Sequence, residues 1–146
     1  MRDPGKERRP GVADYPLAEK RPEWVRTSSG KALDDLTLDA VRAGKVTMAD
    51  LAITPQALRD QADIAGAAGR PTLARNFERA AELVEVPNDV LLAIYEKLRP
   101  GRAGSRAELL ESAALLRREY GAERMAVFVE EAAEAYERRG LFSKRF

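Results

Sequence analysis

Apolar residues recur at every third or fourth position through most of this chain, the spacing of amphipathic helices. No stretch keeps the alternation of a half-buried strand. The densest pattern lies in residues 76–100, NFERAAELVEVPNDVLLAIYEKLRP. Leu73, Phe77, Ala80, Ala81 and Val84 fall on one helical face, and Val90, Leu91, Ile94, Tyr95 and Leu98 on another. Pro87 suits a first helical turn, where its missing N–H costs nothing. Pro100 and Gly101 stop the second helix. So short a link makes the two helices double back on each other. The spacing therefore predicts a hairpin over 76–100 as the core.

Residues 1–13 are polar and basic with two prolines and two glycines, and are expected to form a disordered arm. Residues 14–32 contain Pro16 and Pro22, which argue against a helix, yet carry Tyr15, Leu17, Trp24 and Val25. An extended segment holding the single Trp has to bury it, on its own helices or across another subunit. Aromatic anchors are enriched at interfaces.

A helical domain is predicted over 33–140. Thr37 caps a short helix that closes at Gly44, and Thr47 with Asp50 forms a capping box. Thr54 and Pro55 open a longer helix with Leu58, Ala62 and Ala65 inward, ended by Gly69. Ser105 and Glu108 make a second capping box, before a helix with Leu109, Leu110, Ala113 and Leu116 inward. The last helix places Met125, Phe128, Val129, Ala132 and Tyr136 inward and closes at Gly140, leaving 141–146 as a flexible tail. The fold class expected is all-α: a small irregular bundle of about six or seven helices with an extended N-terminal arm.

A chain of 146 residues has the size of one domain and needs no disulfide or metal staple. It has no Cys, which fits a reducing compartment, and no apolar run long enough to span a membrane. MRDPGKERRP has charge without the apolar core of a signal peptide, so a cytoplasmic protein is expected. The 25 basic and 24 acidic residues nearly cancel, which argues against a dedicated nucleic-acid binder. Arg8, Arg9, Lys20 and Arg21 are diluted by Glu7, Asp14, Glu19 and Glu23.

With neither His nor Cys, the chain lacks the commonest general base and the strongest nucleophile. Glu130, Glu131 and Glu134 share one helical turn, but a di-iron bundle needs His three residues after Glu. They read instead as a solvated face with pairs such as Glu134 and Arg138. SSGK at Ser28–Lys31 misses the phosphate-loop pattern at Val25 and Ala32 and reads as a turn. GRAG at 101–104 is a loop. The residues alone point to a helical partner protein without catalytic machinery.

Several motifs nevertheless occur in a recognisable order. They are DYPLA at Asp14–Ala18, PEW at Pro22–Trp24, Gly30 and Lys31 with Leu33 and Thr37, and ITP at Ile53–Pro55. NFERAAEL at Asn76–Leu83 follows, then Ile94 and Tyr95 with LRP at Leu98–Pro100, then AVFVEEAA at Ala126–Ala133 with Tyr136. In this order the chain resembles the small (gamma) subunit of adenosylcobalamin-dependent propanediol and glycerol dehydratases, from about Asp14 to about Arg139. The resemblance implies a lyase that converts propane-1,2-diol to propanal, or glycerol to 3-hydroxypropanal, by a radical mechanism. It implies two copies each of large (alpha), medium (beta) and small subunits. Adenosylcobalamin and a metal ion, usually potassium, would be bound by the other subunits. This chain would contribute no catalytic, cofactor-binding or metal-binding residue and would bind the large subunit, with no nucleic acid or membrane partner. Tyr15, Pro16, Leu17 and Trp24 are the expected interface anchors. Some relatives carry an amphipathic N-terminal helix that directs them to a protein-shelled microcompartment, and no such helix is visible here. The alternative is a free-standing helical adaptor or regulator.

Overall fold

The computed structural model describes residues 8–142, and the chain divides into two compact units, one running to Ala81 and one starting at Glu82. Among the described residues the regular structure is helical throughout, with one isolated bridge between Arg26 and Ala32. Three helices are short: α1 (Leu17–Lys20), α2 (Leu38–Arg42) and α3 (Met48–Leu51). Five are longer: α4 (Pro55–Ala67), α5 (Pro71–Leu83), α6 (Asn88–Leu98), α7 (Arg106–Tyr120) and α8 (Glu123–Arg138). Single 3-10 turns cover Val12–Asp14, Pro22–Trp24 and Leu33–Asp35. The all-α expectation holds.

The second unit is built on the α7–α8 hairpin. Leu109, Ala113 and Leu116 meet Ala126, Val129 and Ala133, and all six are fully buried. Each set follows the i, i+3/i+4, i+7 spacing of one helical face. The alanines leave room for the two backbones to come close. Gly121 turns the chain between the helices at φ 61°, a left-handed conformation that favours glycine. Val86 and Ile94 complete the buried cluster, with Val90, Leu91 and Leu98 partly buried against it.

Polar groups close the ends of this unit. Ala122 offers no side chain to cap α8, and the Glu82 carboxylate does so instead, accepting the N–H groups of Arg124 (3.1 Å) and Met125 (2.9 Å). A carboxylate there meets two unpaired donors and the positive end of the helix dipole. The Tyr136 hydroxyl donates to the Leu98 carbonyl, and Gly101 N–H donates to Leu141 O at 3.1 Å. Arg117 bridges Glu123 and Glu130 from 2.7 and 2.8 Å, and Arg138 pairs with Glu134 at 2.8 Å, as the sequence spacing predicts.

The first unit is centred on α4, which buries Leu58, Ala62, Ile64 and Ala65. Thr37 and Thr54 cap α2 and α4, each accepting an N–H at 3.1 Å. Helix α4 ends in a Schellman pair, Arg70 N–H to Ala65 O (2.9 Å) and Gly69 N–H to Gly66 O (3.0 Å), with Gly69 at φ 73°.

Several expectations need correction. The 76–100 hairpin is not the core. Leu73 and Val84 of the predicted α5 face are each 37% exposed, and Tyr95 of α6 is 65% exposed. Interior packing instead falls to the alanine-rich α7–α8 pair, whose small residues give a weaker periodic signal than Phe or Leu. Leu110 and Phe128, expected inward, are also exposed. The helical domain expected over 33–140 includes parts of both compact units, the division falling between Ala81 and Glu82. A helix does form between Pro16 and Pro22: the prolines frame α1, with Pro16 at its N-cap, rather than interrupt it. Residues 1–7 of the expected arm lie outside the described residues, whereas Arg8–Asp14 make defined contacts and a 3-10 turn. Of the expected tail, 143–146 likewise lie outside the described residues, and Phe142 packs edge-on against Tyr136 at 6.1 Å.

Candidate subunit interface

The N-terminal segment lies against α4 through its Val12–Asp14 turn. Asp60 of α4 is buried, and its carboxylate accepts from the Arg8 guanidinium and from Gln56 Nε2 at 2.9 Å. A buried carboxylate needs such partners, since an unpaired one costs several kcal/mol. The Arg8 guanidinium lies 5.2 Å from the centre of the Trp24 ring, and that of Arg21 lies 5.3 Å from it. Arg21 is in turn held by Asp14, Nε to Oδ1 at 2.7 Å. The other Asp14 oxygen accepts the Gly11 N–H at 2.9 Å. That backbone donor, and then Arg21, hold the Asp14 carboxyl below its usual range.

The four expected anchors are placed differently from one another. Tyr15 points outward and is 57% exposed, whereas Leu17 is 7% exposed and belongs to the unit's own core. Pro16 and Trp24 are half-buried, and the Tyr15–Pro16 peptide bond is cis. Trp24 is thus occupied by two arginines of its own chain.

A second region was not singled out by the sequence. Between residues 38 and 53 the chain exposes Leu38, Val41, Met48, Leu51 and Ile53, with Leu38 at 65% and Met48 at 80%. Large apolar side chains concentrated on so short a stretch mark an interaction surface. The available signal was the shortness of α2 and α3: four- and five-residue helices cannot turn every apolar residue inward.

This stretch is stiffened by Asp50, which is buried and serves as a hub. Its carboxylate accepts from the Ser29 hydroxyl, from Thr47 N–H at 3.0 Å and from Lys31 Nζ at 3.2 Å. The Ser29 bond, then the Thr47 bond, then Lys31, hold the carboxyl far below the usual carboxylate range. Ser28 Oγ donates to Ala49 O at 3.2 Å, so the SSGK segment is a structural turn docked on α3. Beside it lies a cleft of about 150 Å³, lined by Val25, Leu33, Leu36, Ile53 and the polar Lys31 and Asp50.

Among the described residues, no group of three or more His, Cys, Asp or Glu side chains is arranged to hold a metal ion. The carboxylates drawn inward are already neutralised, Asp50 by Lys31 and Asp60 by Arg8. No helix among the described residues is long and apolar enough to cross a membrane.

Comparison with known proteins gives these surfaces a context. The family model described as "Dehydratase small subunit" matches residues 11–143, nearly the whole chain. The chain belongs to the dehydratase small-subunit family. It is similar to the propanediol dehydratase small subunit of Salmonella typhimurium strain LT2, at 54% identity over 132 residues, covering 90% of this chain and 76% of that protein. It is also similar to the propanediol dehydratase small subunit of Citrobacter freundii, at 54% identity over 125 residues, covering 86% of this chain and 72% of that protein. The family match begins at Gly11, so the Val12–Asp14 turn, the four anchor positions and the 38–53 stretch all lie within it.

Proposed function

We propose that this chain is the small subunit of an adenosylcobalamin-dependent dehydratase acting on propane-1,2-diol or glycerol. Its task in this reading is to bind the large catalytic subunit and stabilise it in its native state, alongside a medium subunit, with two copies of each. The observation that carries the reading is 54% identity, over 90% of the chain, to a protein named as a propanediol dehydratase small subunit. The outward apolar side chains of the 38–53 stretch, with Val12 and Tyr15, support it as the surface such a partner would cover.

Binding that favours a folded partner stabilises it by mass action, without any chemistry from the binder. Adenosylcobalamin, when bound in the assembled enzyme, supplies the radical chemistry of dehydration. In this reading the coenzyme and the potassium ion are bound by the other subunits, as the family resemblance implies. Its own residues bind and position. Leu17 and Trp24 shape the N-terminal segment from within, and Tyr15 and Met48 present apolar surface to the partner.

The test is to purify the large and medium subunits with and without this chain and to follow propanal formation with adenosylcobalamin. Soluble, lasting activity that requires this chain is the expected result. Equal activity and equal thermal lifetime without it would remove the proposed role.

A further inference from the structure

The contacts around Trp24 form a closed circuit that the subunit role does not require. Asp60 on α4 holds Arg8, with Nε at 3.4 Å from Oδ1 and the second contact closer. The Arg8 guanidinium lies over Trp24, and so does that of Arg21, which is tied to Asp14. Two features set this circuit apart from ordinary surface pairing. One guanidinium serves both the ion pair and the ring contact, so breaking either loosens the other. The acceptor is also unusual: the Asp60 side chain is only 3% exposed, while Arg8 is 29% exposed. A cation reaching from a surface segment to a buried anion fastens that segment to the element carrying the anion. Pro10 and Leu17 are the buried apolar contributions of the same segment.

We infer that residues 8–24 are an electrostatic strap fastened over α4, with Arg8 as the buckle, able to open while the rest of the first unit stays folded. The contacts holding the closed state include the Arg8–Asp60 and Arg21–Asp14 ion pairs and the stacking of both guanidinium groups on Trp24. Opening releases Trp24 to water and leaves α4 helical. Salt favours opening, because the Arg21–Asp14 pair is exposed enough to be screened. Strap closure pre-organises the segment that carries Val12 and Tyr15, which lowers the ordering cost of any surface contact made there.

Trp24 is the only Trp in the chain, so its fluorescence reports the strap directly. The experiment compares the unmodified chain with Arg8→Gln and Asp60→Asn, measuring acrylamide quenching of Trp24, trypsin cleavage after Lys20 and Arg26, and helical circular dichroism. Loss of the buckle should make both variants more quenchable and speed cleavage by about ten-fold, since cleavage follows the population of the open form. Helical content should be unchanged, and molar sodium chloride should move the unmodified chain toward the variants. Quenching and cleavage identical in all three chains would overturn the strap. So would equal loss of helix in both variants, because the contacts would then belong to the fold itself. Subunit assembly is read separately by co-purification, so a failed strap and a failed subunit role are told apart.

Discussion

The two units are held together by different physics. From Glu82 onward, the interior is a dry seam of Leu, Val and Ala contributed by two long helices, with charge kept to the outside and to helix ends. Up to Ala81, three short helices precede α4 and α5, two carboxylates are buried, and the N-terminal segment is tied down by arginines. The first arrangement depends on area removed from water. The second depends on specific polar partners, and it leaves Leu38, Met48, Leu51 and Ile53 outside. The second unit also exposes apolar side chains, Leu92 and Tyr95 most of all, but they are spread over α6, α7 and α8 rather than gathered in one short stretch.

The largest effect should come from attacking the dry seam. Leu116→Ala empties a fully buried position and is expected to cost about 2–5 kcal/mol by chemical denaturation. Trp24 fluorescence, which belongs to the first unit, should respond less than the circular dichroism of α7 and α8. Equal response of both would show that the units unfold as one.

Next comes the exposed stretch. Met48→Asp should leave folding stability within about 0.5 kcal/mol of the unmodified chain, as surface substitutions do. The same change should weaken association with the large subunit by about 2 kcal/mol if Met48 is an anchor. A pull-down titration reads the second quantity, and unchanged affinity would move the interface elsewhere.

Glu82→Ala removes the carboxylate that caps α8 and is expected to cost about 1 kcal/mol. Amide exchange at Arg124 and Met125 should accelerate before any other part of α8. Protection retained there would mean that the cap is dispensable.

The smallest effect expected is that of acid. The Asp50 carboxyl is depressed in the folded chain, so its stabilisation is present above the ordinary carboxylate pKa near 3.8 and is lost as pH falls below it. Asp14 adds in the same direction. Exchange protection of the 27–50 region should therefore weaken on acidification, and Asp50→Asn should flatten that dependence. An acid response identical in the two chains would exclude Asp50 as its source.

Legibility in the sequence followed the same division. Caps at Thr37, Thr54 and Ser105 and helix ends at Gly44 and Gly69 were readable, because each rests on bonds between near neighbours. The α7–α8 seam was half readable: Leu109 and Leu116 stood out, while Ala126 and Ala133 did not, since alanine marks a close approach only when its partner helix is known. Contacts joining distant positions were not readable at all. Asp60 gives no local sign of meeting Arg8, nor Glu82 of capping a helix that begins at Glu123. The candidate surface divided likewise. Tyr15 and Leu17 were drawn from one motif, and the first is exposed while the second is buried. Leu38 and Met48 were not singled out, and they stand on helices too short to bury them.

In the proposed assembly the chain meets its partner through the first unit. The most direct measurement is amide hydrogen exchange on the chain alone and after co-expression with the large and medium dehydratase subunits. A stable three-subunit complex is expected, in which residues 12–17 and 38–53 gain protection while the α7–α8 seam is unchanged. A chain that stays alone in the presence of both subunits would overturn the subunit role and favour a free-standing adaptor. Protection gained only on α7 and α8 would contradict the placement of the interface.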